Sequence, residues 1–328
     1  MNILVIGGAG YIGSHMTLQL EQSGHQVVVL DNLCSGKAAA VGCFPFYEAD
    51  MADVAVLDVI FRSHAIDVVM HFAGHIEVAE SVSDPAKYYK NNVVKTQLVL
   101  DAMRRHKVKQ FIFSSTAAIF GNPSYTPINE VHPMLPVNPY GRSKLMVEQM
   151  LADYSQAYGM RSVCLRYFNA AGADPQGRIG ECHQPETHLI PLVLQAASGR
   201  RESISVYGVD YDTDDGSCVR DYIHVNDLCL AHSNALHYLA KGGESRTFNL
   251  GNGEGFSVLE IIQAARIVTA KPIRLIEESR RVGDPAILIA DASLAKEILA
   301  WQPERAALED IIADAWIWEQ KLCADLEG

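Results

Sequence analysis

The sequence predicts an α/β protein: a doubly wound parallel sheet with a second, smaller α/β region packed against it. Three observations carry this. Short apolar, β-branched runs alternate with longer amphipathic stretches through the first half of the chain. Those runs lack the in–out alternation of a half-solvated sheet, as expected for parallel strands buried on both faces. The first run also enters a glycine-rich turn directly, "ILVIGGAGYIG".

In order, the strand-like runs are 3–8 (ILVIGG), 26–32 (QVVVLDN), 44–50 (FPFYEAD), 67–74 (DVVMHFAG), 109–116 (KQFIFSST) and 161–169 (RSVCLRYFN). Helical patterns lie between them near 12–23, 53–63, 85–106 and 138–158. The texture changes after residue 172. Segment 172–188, "GADPQGRIGECHQPETH", is rich in Gly, Pro and polar residues and reads as a loop. Helices near 189–199, 226–240, 257–270 and 307–322 follow, with strands at 204–208, 247–252 and 273–279. This divides the chain into a first domain, 1–172, and a second, 173–328, with some segments interleaved. The cleft between them is the default site.

With 328 residues and 48% apolar side chains, the chain can bury a substantial core. A net charge of −12 argues against nucleic acid or an anionic membrane as the main partner. Seven cysteines, an odd number without a C-x-x-C, suit free thiols in a reducing compartment. No zinc-type ligand spacing stands out, so no metal is expected. The strand that begins at the N-terminus leaves no room for a basic, cleavable leader. No apolar run approaches the ~20 residues of a membrane span. Cytoplasmic residence is the expectation.

Gly7, Gly10 and Gly13 sit at the first strand-to-helix turn. There glycine lets the backbone approach a pyrophosphate, and the helix N-terminus offers N–H groups and a positive dipole end. Asp31 ends the second strand, 18 residues after Gly13, where a carboxylate accepts ribose hydroxyls and repels a 2′-phosphate. Together these predict a Rossmann domain that takes NAD. "FAG" (72–74) and "SST" (114–116) end the fourth and fifth strands, on the side where such sheets bind ligands. In "NPYGRSKLMVEQ" (138–149), Tyr140 and Lys144 are four apart and share a helix face. A lysine held beside a phenol favours the phenolate, which is a base. The spacing alone also fits an ordinary surface helix.

Taken together, "GGAGYIG", "LDNL", "FAG", "SST", "NPYGRSK", "LRYFN", "RDYIHV" and "GDPA" resemble the extended short-chain dehydrogenase/reductase superfamily and, within it, the UDP-glucose 4-epimerase family. The resemblance covers nearly the whole chain. It implies that Tyr140 is the catalytic base, assisted by Lys144 and by Thr116, which bridges the sugar hydroxyl and the tyrosine. It implies NAD retained as a bound catalyst, lined by Gly7, Gly10, Tyr11, Ile12, Gly13, Asp31, Asn32, Asp50, Met51, Phe72, Ala73, Gly74, Asn91, Thr116, Tyr140, Lys144 and Phe168. A UDP-sugar substrate would meet Thr116, Tyr140, Asn169, His188, Leu189, Tyr207, Arg220, Arg281, Asp284 and Leu288. Arginine forks suit a diphosphate and a carboxylate suits ribose hydroxyls. Without the family context, Arg220 and Arg281 read as surface ion pairs.

The chain departs from the family pattern at Ile76, which replaces a lysine, at Ile6, which replaces a threonine, and at His188, which replaces an asparagine of some members. Leu288 aligns with a position that gates the hexose pocket. Its intermediate size leaves UDP-GlcNAc open, and UDP-xylose or UDP-arabinose is barely separated by C4 chemistry. A 4,6-dehydratase is disfavoured, because Ala117 and Ala118 cannot move a proton. A silent NAD-binding regulator is disfavoured by intact Tyr140 and Lys144. Residues 88–103 and 145–154 read as helices with more than one apolar face, so a homodimer is expected.

Overall fold

The computed structural model describes residues 1–281 and 284–327; Gly283, within the "GDPA" motif, lies outside them. The strands are β1 (Asn2–Ile6), β2 (Gln26–Asp31), β3 (Phe46–Glu48), β4 (Val68–His71), β5 (Gln110–Thr116), β6 (Arg161–Tyr167), β7 (Asn169–Ala171), β8 (Ile204–Tyr207), β9 (Val219–His224), β10 (Arg246–Leu250), β11 (Gly255–Ser257), β12 (Leu275–Glu278) and β13 (Ile287–Leu288). The helices are α1 (Tyr11–Gln22), α2 (Val54–Ser63), α3 (Val78–Ser83), α4 (Pro85–Tyr88), α5 (Lys95–Arg105), α6 (Pro139–Tyr158), α7 (Leu189–Ser198), α8 (Val225–Ala240), α9 (Val258–Thr269), α10 (Ser293–Ile298) and α11 (Leu308–Glu327).

A seven-stranded, all-parallel sheet has the order β10-β6-β5-β4-β1-β2-β3. The order reverses between β1 and β4, the point beyond whose strand ends open α/β sheets bind ligands. Both faces of the sheet are covered. In β1, Ile3 and Val5 join a core with Met16 and Leu20 of α1 and Leu228 of α8. The alternate residues Leu4 and Ile6 join a second core with Leu57 and Ile60 of α2, Val99 of α5 and Val147 of α6. That two-sided burial is why the strand sequences do not alternate. Each fully buried aliphatic side chain contributes about 1.5–3 kcal/mol.

Helix entries are fixed locally. Asp53 caps α2 through the N–H groups of Ala55 and Val56 (3.0 and 3.1 Å). Asn138 caps α6 through Gly141 N–H at 2.8 Å, with Pro139 at the first helical position. A reciprocal Ser257–Glu260 capping box starts α9.

Two expected elements are interrupted. The helix expected over 85–106 is α4, then a wider π-type turn over Tyr89–Val94, then α5. The strand expected over 161–169 stops at Tyr167. Past Phe168, Asn169–Ala171 leaves the main sheet and pairs with β9, in register Asn169–Tyr222. Strands β9, β11 and β13 are short and were not foreseen. They form a second sheet with β7, while β8 and β12 pair separately. Helices α7, α9 and α11 share a third core, which includes Ile190, Ile261, Ile311 and Tyr222. The chain then returns: α8 covers the main sheet and β10 extends its edge beside β6.

Asp221 on β9 holds the second sheet in place. It is fully buried and accepts N–H groups from Asn252 (2.8 Å), Ala290 (3.0 Å) and Gly253 (3.1 Å). Burial pushes its carboxyl up to about 6, against the lowering effect of those three donors. The folded chain therefore holds an extra proton between the unfolded carboxylate range and about pH 6, and stability falls as pH rises through that window. We expect wild type to gain about 1 kcal/mol relative to Asp221→Asn when pH is lowered from 7 to 5. Urea midpoints at the two pH values measure this, and an unchanged difference contradicts it.

Candidate active site

The glycine turn is built by close backbone approach. Gly7 has φ +83°, and a Cβ there would lie 2.5 Å from the Ala73 nitrogen. The turn therefore presses on the end of β4, where Ala73 N–H also donates to Ile6 carbonyl at 3.1 Å. A Cβ on Gly13 would collide with the Gly7 carbonyl, so only glycine lets α1 start this close. Gly10 differs: a Cβ there meets only the Gly7 oxygen, at 3.4 Å. The missing side chain leaves an open cradle before the first turn of α1, whose N–H groups have no partner within the helix. At the end of β2, the Asp31 carboxylate fixes the rim of the cradle by accepting Ala9 N–H (2.9 Å) and Leu33 N–H (2.8 Å). These residues fit a dinucleotide: a side-chain-free approach for the pyrophosphate and a carboxylate at the ribose position.

The other expected cofactor residues gather on this rim. Asn32 donates to Asp50 (3.3 Å), which Lys95 of α5 also binds and whose carboxyl is held below its ordinary value despite burial. Met51 is buried behind it. Phe72 packs on His232 with ring centroids 4.8 Å apart. The hydroxyl of Tyr11 donates to Gly172 carbonyl at 2.6 Å, and Ile12 packs into the core beneath the turn. Asn91 donates to Asn92 (3.2 Å) within the π-type turn.

Thr116, Tyr140 and Lys144 meet at the end of β5. The Tyr140 phenol lies beside the Thr116 hydroxyl, which accepts Ala118 N–H at 3.1 Å. Burial pushes the phenol up and the neighbouring Thr116 pulls it down. Lys144 is buried one turn along α6 and donates to Ser114 carbonyl at 2.8 Å. Burial lowers its ammonium to about 8, with Glu148 acting the other way. The downward pull on Tyr140 in this structure thus comes from Thr116, while Ser114 engages the lysine. A Cβ on Gly74 would stand 3.4 Å from Lys144 Nζ, so the "FAG" strand end and the lysine share one wall.

Across the cleft, Arg220 faces Asp284 at 3.5 Å, and the Arg281 guanidinium lies 3.9 Å over the Tyr207 ring. Leu288 pairs with Arg220 across β13 and β9. Leu288 and Phe168 also pack on a cluster of Ala117, Ile119, Phe120 and Ile128, which ties this side to the end of β5. Asn169 stands opposite Tyr222 in the β7–β9 register, and Leu189 begins α7. His188 turns its Nδ1 toward Glu181. Ile76, where the family carries a lysine, is exposed.

The sequence reading missed Asn92. Its buried amide accepts His75 N–H (2.9 Å) and donates to His75 carbonyl (3.0 Å) and Ser143 Oγ (3.1 Å), tying the end of β4 to α6. Two adjacent asparagines inside an apolar helical run were the available signal. Lys95, the clamp on Asp50, gave no signal beyond an ordinary surface lysine.

Residues 3–251 match the model of the NAD dependent epimerase/dehydratase family. A UDP-glucose 4-epimerase of Halalkalibacterium halodurans is 54% identical over 98% of this chain and 96% of its own length. The structure of UDP-glucose 4-epimerase from Brucella ovis in complex with NAD superposes with TM-score 0.94, at 48% identity, over 96% of this chain and 97% of that one. The UDP-Glc/GlcNAc 4-epimerase of Campylobacter jejuni gives TM-score 0.86 at 43% identity, over 98% and 99%. On the matched family model and on these identities, the chain belongs to the NAD dependent epimerase/dehydratase family.

Proposed function

We propose that this chain interconverts UDP-glucose and UDP-galactose by oxidising C4 of the bound sugar and reducing the 4-keto intermediate from its other face. The observation that carries the reading is the meeting of Thr116, Tyr140 and Lys144 beside an open glycine cradle at the strand ends. The names of the relatives, UDP-glucose 4-epimerases at 54% and 48% identity, support the same reaction. Bound NAD supplies the hydride acceptor and returns hydride to the same carbon, so the reaction has no net redox change.

Tyr140 takes the proton of the sugar 4-hydroxyl at its phenol oxygen and gives it back when the ketone is reduced. Thr116 holds that hydroxyl and the phenol in line. Lys144 places a cation in a buried wall, where its field is poorly screened and favours the phenolate. Ala117 and Ala118 follow Thr116 and offer no acid or base for removing water from the sugar. On the far side, Arg220 and Arg281 suit the diphosphate, Asp284 the ribose, and Asn169, Leu189 and Tyr207 the rest of the UDP half. Phe168, Met51, Asn91 and the rim around Asp31 serve the dinucleotide.

A second substrate class is favoured by Leu288. It packs on Ala117 and its neighbours at the end of β5, next to Thr116, and is too small to fill the pocket as an aromatic ring would. The Campylobacter jejuni neighbour is named for both UDP-Glc and UDP-GlcNAc. We extend the proposal to UDP-GlcNAc on that basis.

Residence in the cytoplasm is supported by seven cysteines that are all free, two of them exposed. Among the described residues no helix is long and apolar enough to cross a membrane. A homodimer is supported by apolar side chains exposed where the helical segments near 88–103 and 145–154 run: Val94 is 51% and Met146 41% exposed.

Replacing Tyr140 with Phe is expected to lower turnover by about 10²–10⁴-fold, the usual contribution of a positioned base, with unchanged helix content and NAD content. Turnover near wild type would remove Tyr140 from the reaction. Leu288→Tyr is expected to depress turnover of UDP-GlcNAc at least about tenfold more than that of UDP-galactose, through overpacking of the pocket; equal losses count against Leu288 as the selecting residue. Sedimentation equilibrium should give twice the 36.0 kDa chain mass, and Val94→Glu with Met146→Glu should shift it to monomer. A wild-type monomer at micromolar concentration rejects the dimer.

A further inference from the structure

Four ligand-bearing side chains meet in the segment between β7 and α7: three that the chemistry above does not use, and His188, expected beside the substrate. Glu181, His183, Glu186 and His188 each place one donor atom within 4.8 Å of the others. His183 Nδ1 lies 3.0 Å from Glu181 Oε1 and 3.9 Å from Glu186 Oε1. His188 Nδ1 lies 3.8 Å from the same Glu186 oxygen and in direct contact with the same Glu181 oxygen. An N–H donated to one carboxylate explains one contact per ring. Here one nitrogen of each imidazole faces one oxygen of both carboxylates, so the four atoms surround a common centre. A tetrahedral zinc site with bonds of ~2.1 Å separates its ligand atoms by ~3.4 Å, within the spread seen here.

Among the described residues, the two carboxylates are paired with the two histidines alone. The Glu181 and Glu186 side chains are only 5% and 6% exposed. Two carboxylates this close and this buried are costly unless paired. Among the described residues no Lys or Arg forms an ion pair with either; Arg200 is taken by Glu319 and Lys37 contacts Cys182.

The ligands are also held in position. Glu186 Oε1 accepts the N–H groups of Thr187 (2.8 Å) and His188 (2.9 Å). Trp318 of α11 donates its indole N–H to Glu181 carbonyl at 2.8 Å. The Tyr11 ring stands edge-on to His183, with centroids 6.4 Å apart. A cavity of 340 Å³ lined by Glu181, His183 and Glu186 gives a path from solvent.

We propose that Glu181, His183, Glu186 and His188 bind a divalent transition cation, zinc foremost, as a structural clamp outside the catalytic centre. Two imidazoles and two carboxylates suit zinc, and four protein ligands leave no open position for chemistry. The clamp fixes the end of the 172–188 segment and the entry of α7 against α11 and, through Tyr11, against the glycine turn. The pattern E-x-H-x-x-E-x-H has no cysteine pair, which is why no metal was expected from the sequence.

The test uses the NAD-loaded enzyme, stripped with a chelator and then titrated with Co²⁺ or Zn²⁺. Expected are one cation per chain by elemental mass spectrometry, the strong visible absorption of tetrahedral Co²⁺, and a raised melting temperature. His183→Gln and Glu186→Gln should each weaken uptake more than tenfold and abolish the Co²⁺ band, with NAD content and epimerase turnover retained. If one variant fails to fold, the wild-type spectrum and the other variant still decide. Lack of stoichiometric uptake by wild type, or uptake unchanged in both variants, overturns the proposal.

Discussion

The backbone of Gly7 lies against that of Ala73, and the rest of the site follows from this contact. It brings the first turn of the main sheet onto the strand across the point where the order reverses. A side chain at residue 7 would force the two apart, and its φ of +83° would strain any residue with a Cβ by about 1 kcal/mol or more. Everything downstream is positioned relative to that contact. Gly74, one residue on from Ala73, lies beside Lys144. Asn92 ties His75, next in the chain, to Ser143 of α6. The glycine turn and helix α6 are thus both tied to the end of β4.

Burial sets the electrostatics of the site. Burial moves Tyr140 and Lys144 in opposite directions, phenol up and ammonium down, so that the wall itself favours the neutral form of each. A base cannot be obtained here by desolvation. It must come from groups that stabilise the phenolate more than burial penalises it: the Thr116 hydroxyl, and positive charge brought near the ring. Ser114 carbonyl holds the lysine in the wall, so little reorganisation is needed when charge develops.

The main sheet was legible because its signal is redundant. The central strands β1, β4 and β5 are apolar runs buried on both faces, and amphipathic stretches separate them, so neighbouring segments reinforce the same reading. Gly7, Asp31, Thr116, Tyr140 and Lys144 were legible because their positions are tied to strand and helix ends. The second layer was harder. β11 and β13 have three and two residues, too few to display a period, and the backbone beside each is held by the buried Asp221 carboxylate at Asn252, Gly253 and Ala290. The break after Tyr167 was hidden for a related reason: "LRYFNAA" carries no glycine or proline to mark it, and pairing with β9 draws Asn169 out of the first sheet. Lys95 was illegible because its partner, Asp50, is 45 residues away in sequence.

Several of the long-range polar contacts of the chain converge on the segment that looked least structured. Tyr11, in the first turn of α1, reaches across to Gly172, where that segment begins. A Cβ on Gly172 would strike the His224 ring, so this crossing also fixes β9 against the same point. His224 in turn lies 3.2 Å from Asp314 of α11, which Arg305 also binds at 2.6 Å. The first turn of α1 is thus linked to β9, the strand that carries Arg220, by a chain of buried contacts. Glycine, proline and polar composition correctly marked 172–188 as lacking regular structure. It did not mark the segment as loose, because order here comes from long-range hydrogen bonds that no local pattern records.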